Sequence, residues 1–118
     1  MLNDAVGFRH IYIAYGYSDL RRGIDGMVAR IKNEFELDPF ETGNIFLFCG
    51  RRSDRIKALL YEGDGFLLMY KRLSNGHYQW PRTKAEARSI TQQQYRWLMD
   101  GLCIEQKKTI RETTPTRL

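Results

Sequence analysis

Nine lysines and arginines lie between Arg51 and Arg88 (51, 52, 55, 57, 71, 72, 82, 84 and 88), against four acidic residues (54, 62, 64 and 86). That segment carries the whole net charge of +5, because the rest of the chain balances at ten against ten. A local excess of this kind suits a polyanionic partner. Basic side chains gain affinity by displacing counterions from phosphates, and exposed aromatic rings stack on unpaired bases. Arg51, Arg52, Arg55, Lys57, Lys71, Arg72, Arg82 and Lys84 can do the first; Tyr61, Tyr70 and Trp80 can do the second. The plainer reading of the same charges is a solvated face, and Tyr78 and Trp80 would sit equally well in a core. No helix-turn-helix, zinc-finger or RNA-recognition signature is present, so base-specific readout has no support.

The acidic residues offer a second chemistry. Asp19, Asp25, Asp54, Asp64 and Glu86 could hold Mg²⁺ as nuclease carboxylates do, with metals clamping the attacking and leaving oxygens. Each has a simpler use, however. Asp19 suits a helix start and Asp25 a helix surface, Asp54 and Asp64 suit turns, and Glu86 belongs to a polar stretch. His10 and His77 have no Cys or second His at a ligand spacing. Gly63-Asp64-Gly65 lacks the following helix of a phosphate loop and reads as a turn. Cys49 and Cys103 are too far apart for a metal motif and read as two thiols of a cytoplasmic protein. No catalytic residue, metal or cofactor is expected.

The elements that must position the basic residues follow from periodicity. Residues 55–82 read as three antiparallel strands, turned at Gly63-Asp64-Gly65 and at Asn75-Gly76. A two-residue turn at Asn75-Gly76 pairs Leu73 with Tyr78, and alternation gives the sheet two unlike faces. One carries Ile56, Ala58, Leu60, Leu67, Met69, Leu73, Tyr78 and Trp80, with Lys71 as its misfit. The other carries Arg55, Lys57, Tyr61, Tyr70, Arg72, His77 and Gln79 around Leu59, Phe66 and Leu68. Upstream, residues 10–15 read as a strand, and Ser18 caps a helix running to about Phe35. Its stripe Ile24, Met27, Val28, Ile31 and Phe35 is expected against the face with Leu60, Met69 and Tyr78. Residues 44–49 are apolar on both faces and read as a central strand. Downstream, 82–89 reads as irregular or weakly helical, and Thr91 caps a second helix to about Leu102.

At 118 residues, 42% hydrophobic and 28% charged, the chain can bury a core without metals or disulfides. Its longest apolar runs are five residues, far short of the ~20 that cross a bilayer. MLNDAVGF has neither the basic start nor the apolar stretch of an export signal, so a cytoplasmic location is expected. The expected fold is α+β: a mainly antiparallel sheet of about five strands, in the order β-α-β-β-β-β-α, with helices packed on it. Residues 9–102 form the single domain and 103–118 a mobile tail. The apolar residues of the basic face need a partial cover, which the second helix or a homo-oligomeric contact can supply.

Three stretches then acquire a further meaning: IYIAYGYSDLRRGIDGM, NIFLFCGRRSDRIKALLYEGDGFLLMYKRL and YQWP. In that order they resemble the small accessory protein, often called TnpB, of the insertion-sequence-66 family of bacterial mobile elements. The resemblance covers roughly residues 9–102. The matching positions are Ser18, Asp19, Arg21, Gly23, Asp25 and Gly26; then Arg51, Arg52, Arg55, Lys57, Gly63, Asp64, Gly65, Lys71 and Arg72; and finally Trp80 and Pro81. Leu20 replaces the usual Met, and Tyr61-Glu62 the usual Trp-Asp. The resemblance implies a non-catalytic role in transposition beside a separate, larger transposase, and it transfers no catalytic residues. DNA and that transposase are the expected partners. A protein-interaction module that docks on the transposase without touching DNA is the competing expectation.

Overall fold

A computed structural model describes residues 2–83 and 86–105. Its sheet has five strands: β1 (His10–Ala14), β2 (Asn44–Cys49), β3 (Arg55–Tyr61), β4 (Phe66–Arg72) and β5 (Ala87–Ile90). They lie in the order β4-β3-β2-β1-β5. β1 and β2 run parallel, and the other neighbouring pairs are antiparallel. Helix α1 (Ile24–Asn33) makes the crossover between the parallel pair, and α2 (Gln92–Met99) follows β5. The element order and the α+β class agree with the sequence reading, with a mixed sheet.

β2 is buried at all six positions, which accounts for its apolar residues on both faces. On one face Met27 and Ile31 of α1 pack with Ala14, Phe46, Phe48 and Leu59. On the other, Tyr95, Leu98 and Met99 of α2 join Ile13, Ile45, Leu47, Ile56, Ala58, Tyr78 and Trp80. The two helices therefore lie on opposite faces, and the expected placement of both is overturned. The stripe of α1 covers the apolar half of the basic face, not the face with Met69 and Tyr78. A parallel crossover is committed to one side of its sheet by its handedness. With apolar side chains on both faces, the composition of the strands could not reveal that side.

Strand β5 is a second correction. Residues 77–80 form no strand and pair with nothing in β4, whereas Ala87–Ile90 pairs antiparallel with β1. The type I′ turn favoured in two-residue hairpins needs positive φ at both central residues, and only Gly76 has it (φ 83°). The segment instead crosses the sheet end. Tyr78 N–H donates to Ser53 O (2.7 Å) and Trp80 Nε1–H to Ala14 O (2.7 Å). Leu73 and Tyr78 still share one apolar cluster.

The helix starts also differ. α1 begins at Ile24 with Gly23 as its cap and no side-chain capping bond, so Ser18 caps nothing. α2 starts where expected, with a full capping box between Thr91 and Gln94. It stops at Met99, leaving Leu102 exposed, while Ile104 is buried in the core. The remainder of the expected tail, 106–118, lies outside the described residues.

Ile31 is fully buried between α1 and the sheet. Ile31→Ala should lower unfolding free energy by about 2–5 kcal/mol, read from a denaturant titration.

Candidate nucleic-acid interface

The loop after β1 is stitched to its neighbours by backbone bonds. Gly16 N–H donates to Pro81 O (2.8 Å) and Ser18 N–H to Cys49 O (2.8 Å). Ser18 Oγ accepts a bond from the Arg30 guanidinium, which also pairs with Glu34 (3.1 Å) and lies over Phe35 and Phe48. Arg30 thus fixes the loop to α1 from beneath. Above it, Asp19 takes Arg21 in a fork, Nε to Oδ1 and Nη2 to Oδ2, both 2.9 Å. Those bonds hold the Asp19 carboxyl down at about 2.

The turn between β2 and β3 closes with Gly50 N–H to Arg55 O (3.1 Å) and Ser53 N–H to Gly50 O (3.0 Å). Ser53 adopts φ 60°, a conformation that L-residues other than Asn and Asp seldom take. It is held by its own buried position, by Tyr78 N–H on its carbonyl and by its hydroxyl, which donates to Tyr17 Oη (3.4 Å). His77 Nδ1 lies 2.8 Å from Arg52 O and, facing a carbonyl, must carry the hydrogen. Asp54 grips Arg55 through Nε (2.8 Å) and Nη2 (3.2 Å), which lowers the Asp54 carboxyl from its ordinary value.

Between the loop and the turn lies an open concavity of about 840 Å³. Tyr17, Ser18, Asp19, Leu20, Arg21, Gly50, Arg51, Arg52, Arg55 and Tyr70 line it, four arginines against one aspartate. Gly50 makes the close approach possible. A methyl there would sit 3.1 Å from both Leu20 Cδ1 and Arg55 Cγ. Beside the concavity, Arg55 stands opposite Arg72 and Lys57 opposite Tyr70 on adjacent strands. Lys57 Nζ donates to Arg22 O (3.1 Å) and lies 5.7 Å from the Tyr70 ring.

A model of the family described as "IS66 Orf2 like protein" matches residues 9–109. The chain belongs to this family. Two Sinorhizobium fredii proteins are similar to this Orf2-like chain. "Uncharacterized protein y4hO" is 33% identical over 92 residues, covering 78% of the chain and 79% of that protein. "Uncharacterized protein y4jC" is 32% identical over 102 residues, covering 86% of each. No solved structure matches the chain. The family is one of accessory proteins of insertion-sequence transposition.

In this Orf2-like fold the residues singled out from the sequence do not all come together. Arg51, Arg52, Arg55 and Tyr70 line the concavity, Lys57 and Arg72 extend it along the sheet, and Arg82 lies over the Tyr17 ring (5.5 Å) at its side. Tyr61 belongs elsewhere. It packs with Phe40 and Phe66 at the far end of β3, about 20 Å from Arg55 at a strand's rise per residue. Lys71 points to the other face and donates to Asn3 Oδ1. Lys84 lies outside the described residues, and Trp80 is buried. Among the described residues no three His, Cys, Asp or Glu side chains gather as metal ligands, and no helix is long and apolar enough to cross a membrane. Sequence reasoning missed Tyr17, Arg21 and Arg30 as parts of the interface. The Arg21-Arg22 doublet was a visible signal; for Arg30, a helix-surface position by sequence, there was none.

Two outcomes follow from this geometry. Gly50→Ala should push Leu20 and Arg55 aside by a few tenths of an ångström, and a lowered unfolding free energy in a denaturant titration checks that the loop and turn are packed too closely to yield. Burial pushes the Cys49 thiol up from 9.0 to about 12 and the Tyr78 phenol up from 10.0 to about 12. The folded chain then keeps protons that the unfolded chain releases, so stability falls as pH rises through 9 toward 12. Melting temperatures measured across that window should fall, and Cys49→Ala should remove the part of the slope that begins near 9.

Proposed function

We propose that this protein is a non-catalytic accessory factor of DNA transposition that holds the phosphate backbone of DNA in its basic concavity. The observation that carries the reading is the like-charged pair Arg55 and Arg72, opposed on adjacent strands next to Arg51 and Arg52. Like charges directly opposite on a sheet destabilise it. Asp54 relieves Arg55, but the exposed Arg72 has no ion-pair partner among the described residues, and neither have Arg51 and Arg52. Uncommitted guanidinium groups on a rigid strand and turn are suited to planar, forked contacts with phosphate. Tyr70, 56% exposed at the edge of the same surface, adds a ring on which an unpaired base can stack. Family membership supports the transposition role; the reading adds the element's separate transposase as a partner and the cytoplasm as the location. The carboxylates weighed as metal ligands favour the non-catalytic reading, since Asp19 and Asp54 are each engaged by a neighbouring arginine.

The second reading is a docking module for the transposase, favoured by the exposed aromatic and arginine side chains that anchor protein interfaces. Salt separates the two. Fluorescence-anisotropy titrations should show non-specific binding in the range of roughly 10⁻⁴–10⁻⁶ M at physiological salt. Arg51→Ala with Arg72→Ala should weaken binding to all sequences alike and flatten the plot of log affinity against log salt by about 0.9 per contact on duplex. Tyr70→Ala should weaken single-stranded DNA selectively, by about 1–3 kcal/mol per stacked base. Absence of DNA binding at low salt, together with salt-resistant capture of the transposase, would overturn the DNA reading in favour of the docking module.

A further inference from the structure

β4 ends the sheet, and no strand of the described residues lies on its outer side. The hairpin register shows which of its backbone groups face out. Glu62 N–H donates to Gly65 O (2.8 Å) and Leu73 N–H to Asp54 O (2.7 Å), one bond at each end of the β3–β4 ladder. Antiparallel ladders alternate, so the hydrogen-bonded pairs between these ends are Leu60 with Leu67, Ala58 with Met69, and Ile56 with Lys71. Phe66, Leu68, Tyr70 and Arg72 therefore turn both N–H and C=O toward the open edge. The edge strand is long, without proline, and presents Leu67 and Tyr70 at 38% and 56% exposure. The opposite edge, β5, has four residues and two of them exposed polar ones, Arg88 and Ser89. Natural proteins commonly blunt edges in that way; β4 is not so blunted along its length.

The charges of this hairpin are polarised. Glu62 and Asp64 lie at its turn, and Lys71 and Arg72 at the other end of β4. A parallel neighbour of the same sequence would set like against like, whereas an antiparallel one sets each acidic turn beside a basic end. We propose that β4 pairs antiparallel with β4 of a second copy, with Met69 opposite Met69 of the partner subunit. In this register all four outward-facing residues enter hydrogen-bonded pairs. Phe66 faces the partner's Arg72, Leu68 faces the partner's Tyr70, and Leu67 faces the stem of the partner's Lys71. Asp64 stands diagonal to the partner's Arg72, within the reach of a long side chain. Leu67 and Met69 with their symmetry mates make an apolar strip on one face. On the other face the two concavities look the same way, with the two Arg72 residues about 20 Å apart along the strands. The pairing rests on the hairpin's own register and charge, and does not require that the concavity bind DNA.

Directed cross-linking tests the register and sedimentation tests the assembly. In a Cys103→Ser background, Met69→Cys should form a disulfide-linked dimer under mild oxidation. Directly opposed residues of a non-hydrogen-bonded pair have Cα atoms about 4.5 Å apart, within disulfide range. Leu67→Cys, which faces the partner's lysine, should not. The unmodified protein should sediment as a dimer. Tyr70→Pro removes an outward N–H and leaves the β3 ladder whole, so it should give a monomer with unchanged circular dichroism. A monomer for the unmodified protein at every concentration, or cross-linking through Leu67→Cys and not Met69→Cys, would overturn the proposal.

Discussion

Six consecutive backbone units of β2 are shut away from water, and each must find its hydrogen bonds inside the protein. That requirement places a strand on either side of β2. β3 can supply one ladder through a short turn, since the neighbouring strand is antiparallel. β1 is parallel and must be reached by a crossover, which is why α1 exists at all and why it lies across one face. α2 then closes the other face, and the sheet is left with one open end, where the β2–β3 turn and the loop after β1 meet.

The basic concavity is a product of that open end. Two of its walls, the loop after β1 and the β2–β3 turn, are irregular, and Arg55 and Tyr70 complete the lining from β3 and β4. The loop is held by Ser18 on the last residue of β2 and by Arg30 from α1; the turn is held by the strained Ser53 and by Tyr78 beneath it. Each anchoring residue belongs to the packed core or touches it. The arginines that face solvent contribute little to this scaffold, so the charge can be altered without altering the shape.

Local signals were readable in the sequence wherever one physical effect dominated. The faces of β3 and β4 followed from alternation, and the start of α2 from Thr91 as its cap. Readings failed where two effects competed. Ser18 has the chemistry of a helix cap but is used as a loop anchor, so α1 starts five residues later than a Ser18 cap would set it, at Ile24. Asn75-Gly76 has the composition of a tight hairpin, yet the segment after it bonds through Tyr78 to Ser53 and through Trp80 to Ala14 in place of pairing with β4. The side chosen by α1 is a matter of crossover hand, to which side-chain pattern is blind when both faces are apolar. Tyr61 and Lys71 were grouped with the interface by charge and type, but distance along β3 and alternation along β4 separate them from it.

The cations that line the concavity are all arginines, and its one acid, Asp19, keeps its charge down to about pH 2. Guanidinium groups do not lose their proton in proteins. Acidity therefore has almost no purchase on the charge of this lining above about pH 2. Ionic strength, which alters the screening and not the charges, is the solution variable to which such a surface responds. The concavity behaves as a fixed electrode immersed in electrolyte, with its potential set by salt.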